Sequence, residues 1–229
     1  MKATAANVVE LEFSQKYDKK HAEAYYQKHR NGIARRWSHS REEQVARQAL
    51  SLAGQPRLVL DLPCGAGRFW PLLLEEHDRK VIGADYSAGM LEVAQNSHSG
   101  YMAGRVRCLQ TSAFSIDLPD AAVDSILCMR LVHHVGKAED RMVLLNECHR
   151  VTRDTAIISL WVDGNYKAWR RKKLEYRRDR RERRCAQNRF VIERNLVEEE
   201  FTAAGFEILG KIDFLPVYQM WRTYVLRKR

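Results

Sequence analysis

No stretch of the chain approaches the ~20 consecutive apolar residues that cross a bilayer. The start, MKATAANVVELEF, has no apolar core of the secretory kind. A membrane-spanning protein is excluded on this reading, and a cytoplasmic address is expected. Cysteine is sparse and poorly spaced for chemistry. Cys64, Cys108, Cys128, Cys148 and Cys185 are odd in number and never fall as Cys-x-x-Cys. That leaves a disulfide framework and a structural zinc site unsupported, so reduced, packed thiols and no metal are expected. What is present suffices for a core. The 229 residues are 45% hydrophobic and 30% charged, which fits one large domain or one domain with additions.

The apolar residues come in short runs. Residues 58–61, 80–84, 106–110, 123–129 and 155–161 read as strands, and residues 69–76, 88–96 and 137–151 read as helices between them. Short apolar strands joined by amphipathic helices imply parallel pairing with helical crossovers, hence a doubly wound α/β sheet with helices on both faces. The rhythm then changes. Residues 206–214 and 219–227 are strand-like and too close for a crossover, so they form an antiparallel hairpin at one sheet edge. Residues 10–50 read as helical and polar, an N-terminal cap (1–50) ahead of the main domain (51–229).

In such sheets ligands bind beyond the carboxyl ends of the strands. There the first strand runs through LVLDLPCGAGRFW. Gly65 and Gly67 supply unusual backbone angles and let a ligand approach closely. The helix beginning near Arg68 offers free N–H groups to an anionic group. Asp61 can accept from an ammonium or an ordered water. The second strand ends in GADYS, with Asp85 at 18 residues beyond Gly67, where a ribose-binding acid belongs. Asp85 is otherwise a plain strand-end acid; the glycine turn upstream favours ribose. Ser87 can cap the next helix, with Met90 one turn in.

Together DLPCGAG, GADYS, CLQTSAFSIDLPD and ILCMRLVHHV resemble the class I S-adenosylmethionine-dependent methyltransferases, in the broad branch that includes the quinone-biosynthesis enzymes. The similarity covers roughly residues 55 to 160, and the final hairpin fits the family's last two strands. The resemblance implies a Rossmann-like, seven-stranded, mostly parallel sheet with one antiparallel strand. It implies S-adenosylmethionine as cofactor, S-adenosylhomocysteine as product, and no metal. The cofactor-binding positions it implies are Asp61, Pro63, Cys64, Gly65 and Gly67 in the first turn, and Asp85, Tyr86, Ser87 and Met90 after the second strand. Ser112, Ala113 and Phe114 follow the third strand, and Met129 and Arg130 the fourth. Two positions depart from the family pattern. Pro63 stands where glycine is usual, and Ser112 stands where many members place an adenine-binding aspartate. Serine is a shorter, neutral acceptor and makes the weaker bond.

No catalytic group is read with the same clarity. His133 and His134 are candidates for removing an acceptor's proton, or they end the fourth strand and pack locally. Their adjacency on a strand argues against a metal pair. A Tyr-x-x-x-Lys relay near the sheet, which a nicotinamide-dependent dehydrogenase would need, is missing.

The chain's charge is concentrated at one place. After Trp169, residues 170–184 hold ten cations and three acids, +7 of the whole chain's +10. This segment, part of a basic helical insertion at about 165–192, is either a solvated, salt-bridged helix or a clamp for a polyanion, with arginine forks on phosphates. The clamp residues are Arg170, Arg171, Tyr176, Arg177, Arg178, Arg180 and Arg181. Few aromatics interleave with them, so RNA, a phosphorylated sugar or lipid headgroup and an acidic protein all stay open as anionic partners. The expected reaction is methyl transfer to an O or N nucleophile of an anionic, phosphate-bearing acceptor. The alternative is a catalytically inactive nucleoside-binding module that recruits a polyanion or protein.

Overall fold

The computed structural model describes residues 33–98, 100, 104–179 and 188–229. Helix α1 (Ile33–Leu52) precedes strand β1 (Leu58–Asp61), the short helix α2 (Trp70–Leu73), β2 (Lys80–Asp85), α3 (Ala88–Ser97), β3 (Val106–Gln110) and β4 (Val123–Cys128). A 3-10 turn (Val132–His134), α4 (Ala138–Val151), β5 (Thr152–Trp161), α5 (Tyr166–Asp179), α6 (Arg194–Ala203), β6 (Phe206–Asp213) and β7 (Trp221–Lys228) complete the order.

The seven strands form one sheet in the order β3-β2-β1-β4-β5-β7-β6. Every pairing from β3 across to β5 is parallel, and β7 runs antiparallel to both β5 and β6. The strands alternate between two apolar layers, as period-two geometry requires. Leu60, Ile82, Ile126, Ile158 and Leu226 meet Leu144, Leu145 and Cys148 of α4 and Phe201 of α6. Val59, Val81, Leu127, Ile157 and Val225 meet Ala46, Ala49 and Leu50 of α1 with Trp70, Leu72, Leu91 and Ala94. Helix α1 is thus packed on the sheet by its own apolar stripe; residues 1–32, the rest of the expected cap, lie outside the described region.

Local chemistry explains the element ends. Ser87 caps α3, its side chain accepting from the Met90 N–H at 3.3 Å. Helix α4 has Glu139 and Asp140 in its first turn and His149 and Arg150 in its last, matching the helix dipole. The helix expected over 69–76 is only four residues long. Its trailing carbonyls are taken by distant arginines instead: Arg79 donates to Leu73 O, and Arg105 to Leu74 O and Glu76 O. Strand β5 starts three residues before the expected 155, because Thr152 pairs with Val123 and its hydroxyl bonds Asp124 O and Thr155 O.

Helix α6 had no counterpart in the sequence reading. It is secured by Val197 and Phe201, one helical turn apart on the core face, and by Glu200, which pairs with buried Arg141 at 2.5 and 2.8 Å. Among the described residues no helix is long and apolar enough to cross a membrane. Cys64, Cys128 and Cys148 are buried free thiols and Cys108 is half-buried and free, while Cys185 lies outside the described residues.

Candidate cofactor site and its basic flank

The glycine turn leaves β1 and closes onto β2. Cys64 N–H donates to Ala84 O at 2.8 Å, and the Leu62–Pro63 bond is cis. Gly65 and Gly67 both hold positive φ, +54° and +73°. A Cβ added at Gly67 would strike the Trp70 ring at 2.8 Å, so this glycine is required by packing. A Cβ at Gly65 would meet nothing within 4 Å, so here the backbone lies open to a ligand.

Asp85 binds this turn to the end of β2. One of its oxygens accepts from Gly65 N–H at 2.9 Å and the other from Ser87 N–H at 2.9 Å. Each oxygen keeps a further lone pair, enough for two hydroxyls. Burial pushes the Asp85 carboxyl up, and these backbone donors offset part of the rise.

Asp61 is fully buried, and neither of its oxygens has a hydrogen-bond partner. Burial raises its pKa well above the ordinary carboxylate value, the nearby Asp85 charge adds to this, and the Trp70 indole lowers it in part. That indole Nε1 also completes no hydrogen bond. An unpaired buried carboxyl at the base of an open glycine turn suits a cationic or hydrated ligand group.

The expectation of a helix N-terminus as an anion site is corrected here, because the four-residue α2 has too little dipole to provide one. Beyond β3, the Ser112 hydroxyl accepts the Phe114 N–H at 3.2 Å. Phe114 N–H is therefore already engaged within its own turn, whereas Ala113 is buried beside it. Tyr86 is half-exposed and Met90 and Met129 are buried.

Arg130 holds a left-handed backbone, φ +62°, with its N–H fixed to Ser159 Oγ at 2.8 Å. Its guanidinium meets Glu42 of α1 at 2.5 and 2.7 Å, and the same carboxylate pairs with Arg68 of the glycine turn. Glu42 is the residue that sequence reasoning missed. It ties the cap to both sides of the site, yet in sequence it is one acid among many on a polar helix.

His133 and His134 lie on a 3-10 turn with ring centroids 4.1 Å apart. Strand alternation does not apply to them, which corrects the argument made from adjacency. Among the described residues no cluster of three or more His, Cys, Asp or Glu is placed to hold a metal. His133 is buried, and burial with help from His134 and nearby arginines depresses its pKa to about 2. His134 is also lowered, chiefly by burial, while its Nδ1 bonds Asn188 O at 2.5 Å.

The basic segment forms α5 through Asp179. It is seated by Tyr166 N–H and Lys167 N–H on Val217 O and Tyr218 O, and by Asn165, whose side chain accepts from Ala168 N–H at 2.9 Å. Trp169 and Leu174, two apolar residues of this helix, are 60% and 46% exposed. Arg171 turns toward the sheet, over the Trp161 ring at 5.0 Å, while Arg170 is exposed. Tyr176, Arg177 and Arg178 fall on the helix backbone, and Arg180 and Arg181 lie outside the described residues.

A family model described as a methyltransferase domain matches residues 59–155, which span the first strand, the glycine turn and the strand-end acid. Over those residues, somewhat less than half of its length, the chain is similar to a methyltransferase domain. An uncharacterized methyltransferase-like protein of Schizosaccharomyces pombe is 28% identical over 109 residues, 48% of this chain and 39% of that protein. The mouse tRNA (carboxymethyluridine(34)-5-O)-methyltransferase ALKBH8 is 23% identical over 166 residues, 72% of this chain and 23% of its own length. The chain therefore spans about two fifths or less of these curated relatives. In fold it matches the magnesium protoporphyrin IX methyltransferase of Synechocystis, solved with bound S-adenosylhomocysteine, at a TM-score of 0.67 and 13% identity. That match covers 87% of this chain and 88% of that one. These relatives do not single out the quinone-biosynthesis branch.

S-adenosylmethionine is the cofactor that the sequence resemblance implies, and the residues present fit it: the open backbone at Gly65, the unpaired buried Asp61 and the spare lone pairs of Asp85.

Proposed function

We propose that the chain transfers a methyl group from S-adenosylmethionine to an O or N nucleophile of an anionic, phosphate-bearing acceptor. The observation that carries this is Asp85, which accepts one backbone N–H from the glycine turn at Gly65 and one from Ser87 while keeping acceptor capacity for a ribose. Asp61 would face the ammonium of the methionine part, and Ala113 with Met129 would wall the adenine. The sulfonium methyl is electrophilic when the cofactor is bound, so the protein's task is to position the acceptor in line and exclude water.

His133 does not suit the role of base. With a pKa near 2 it stays neutral and holds protons poorly. An acceptor that loses its proton readily needs no dedicated base, and an oxyanion meets that condition. The basic face of α5 supports an anionic acceptor, and the mouse relative, named for a carboxymethyluridine of tRNA, supports oxygen as the attacked atom.

Calorimetry with S-adenosylmethionine, S-adenosylhomocysteine and NAD tests the cofactor. Turnover of labelled S-adenosylmethionine against extracts, with nuclease- and phosphatase-treated controls, tests the acceptor. Binding of the methyl cofactor with no acceptor labelled would favour the inactive recruiting module, and binding of NAD alone would reject both.

A further inference from the structure

The outward face of α5 carries a row of rings that the cofactor site does not use. The sheet-facing side of this helix is set by Ala168, which is buried, and by Arg171, which lies over Trp161. Tyr166, Trp169, Arg170 and Lys173 fall at the i, i+3, i+4 and i+7 spacing of one stripe on the other side. Aromatic stripes are ordinarily packed away, yet Tyr166 and Trp169 are 47% and 60% exposed.

The loop between β6 and β7 extends the row. Tyr218, also 47% exposed, lies parallel to Tyr166, with ring centroids 5.7 Å apart and planes inclined by 10°. Trp169 follows Tyr166 at 6.0 Å and 34°. The backbone holds this alignment, because Tyr166 N–H and Lys167 N–H donate to Val217 O and Tyr218 O. Tyr218 is therefore an aromatic that the basic segment lacks in sequence and gains in space. Cations mark both ends of the row: Lys167 Nζ stands 5.2 Å from the Tyr218 ring centre and Lys173 Nζ 5.1 Å from that of Trp169. Among the described residues neither lysine, nor the exposed Arg170, is paired with a carboxylate. Because β7 starts at Trp221, opposite the last residue of β5, helix and loop both lie at the carboxyl end of the parallel strands, the end that carries the glycine turn.

We infer that this row is a stacking platform for single-stranded nucleic acid: unpaired bases lie on Tyr218, Tyr166 and Trp169, and Lys167, Arg170 and Lys173 take the phosphates. Each unit of such a strand offers a flat base and a negative charge, and the row offers rings and cations side by side to match. The lysine stems are flexible, so an ammonium that rests on a ring can swing to a phosphate as a base takes its place. An acidic peptide would use the cations and leave the rings bare. An anionic bilayer would call for a broad aliphatic face, and the stripe itself contains no aliphatic residue. A duplex keeps its base faces covered and cannot use the rings. The inference rests on the methyl-transfer reading in one respect: it names the class of the phosphate-bearing acceptor.

The test titrates the full chain into fluorescein-labelled oligouridylate and, separately, oligodeoxythymidylate, reading anisotropy over a range of sodium chloride concentrations. Saturable binding is expected, and the tighter of the two tells RNA from DNA. Trp169→Ala with Tyr218→Ala should weaken it at least tenfold without changing the slope of log affinity against log salt, and Trp169→Phe with Tyr218→Phe should restore it. Arg170→Gln with Lys173→Gln should instead lower that slope by about 1.4, the value for two phosphate contacts on a single strand. Alanine variants that bind as the unaltered chain does overturn the platform. So does inorganic polyphosphate that competes as well, phosphate for phosphate, as oligouridylate, or sedimentation with phosphatidylglycerol vesicles in place of oligonucleotide binding. Calorimetry of the same proteins with S-adenosylhomocysteine separates the two readings. If the compound binds and the rings do not stack, the methyltransferase reading stands with another anion as acceptor. If the compound fails to bind, that reading falls, and oligonucleotide held by the rings marks a binding surface alone.

Discussion

Asp61 and Asp85 end the neighbouring strands β1 and β2, and their substitutions are predicted to differ in what they do to the cofactor-free chain. Asp85→Ala removes two backbone bonds and the ribose contacts together. It should weaken S-adenosylhomocysteine binding by more than about 1.5 kcal/mol, over tenfold, in calorimetry. Asp61 is an acid whose folded pKa is raised, so the folded chain holds a proton that the unfolded chain releases above about 3.8. Its contribution to stability therefore falls as pH rises from that value through the raised folded one. Asp61→Asn should accordingly raise the melting temperature of the cofactor-free chain, more at pH 8 than at pH 5, while weakening cofactor binding. Equal shifts at both pH values would show that the carboxyl is not held protonated. Both acids were legible in the sequence because each ends a strand at a fixed distance from the glycines. Their difference was not, since it depends on which one the fold supplies with backbone donors.

Helix α1 contributes to the site through one carboxylate. Glu42 is 6% exposed and faces Arg68 and Arg130, which are 16% and 28% exposed. Removing the acid leaves two cations crowded at the mouth of the site. Glu42→Gln should destabilise the chain by about 2 kcal/mol in denaturant unfolding, below the full penalty for a wholly buried pair because the arginines reach solvent. It should also weaken S-adenosylhomocysteine binding by loosening the glycine turn. Helix α5 makes the contrasting case. Neutralising Arg177, Arg178, Arg180 and Arg181 should spare cofactor binding and stability yet weaken a phosphate-bearing acceptor, most at low salt, where screening is least. Acceptor kinetics unchanged in value and in salt dependence would make α5 a solvated helix.

Across the whole molecule, several histidines share one direction of shift. His133, His134, His149 and His39 all have lowered pKa values, with burial as the leading cause. Each takes up its proton at a lower pH in the folded chain than in the unfolded one, where protonation begins at about 6.5, so the stability they lend above that pH is lost on acidification. His133, depressed to about 2, sets the deepest part of this slope at ~1.4 kcal/mol per pH unit below 6.5. His133→Gln should flatten the fall in melting temperature between pH 6.5 and 5; an unchanged slope would place the loss elsewhere. The sheet was readable because Val59–Leu60 and Ile157–Ile158 bury on both faces and leave no polar alternation to confuse them. The aromatic cluster of Trp161, Trp221 and His133 was not, because it joins residues 28 to 88 positions apart and Trp221 reaches the other two through the antiparallel return of β7. Helix α6 hid for a related reason: its stripe is short, and Glu200 on the buried side looks polar until Arg141 is placed against it. The account as a whole depends on a nucleoside thioether lying over the tips of β1, β2 and β3. A crystal structure with S-adenosylhomocysteine tests it most directly. The prediction is both ribose hydroxyls on Asp85 and the amino-acid end above Gly65 beside Asp61; a dinucleotide in that place, or the tips closed to the compound, would contradict it.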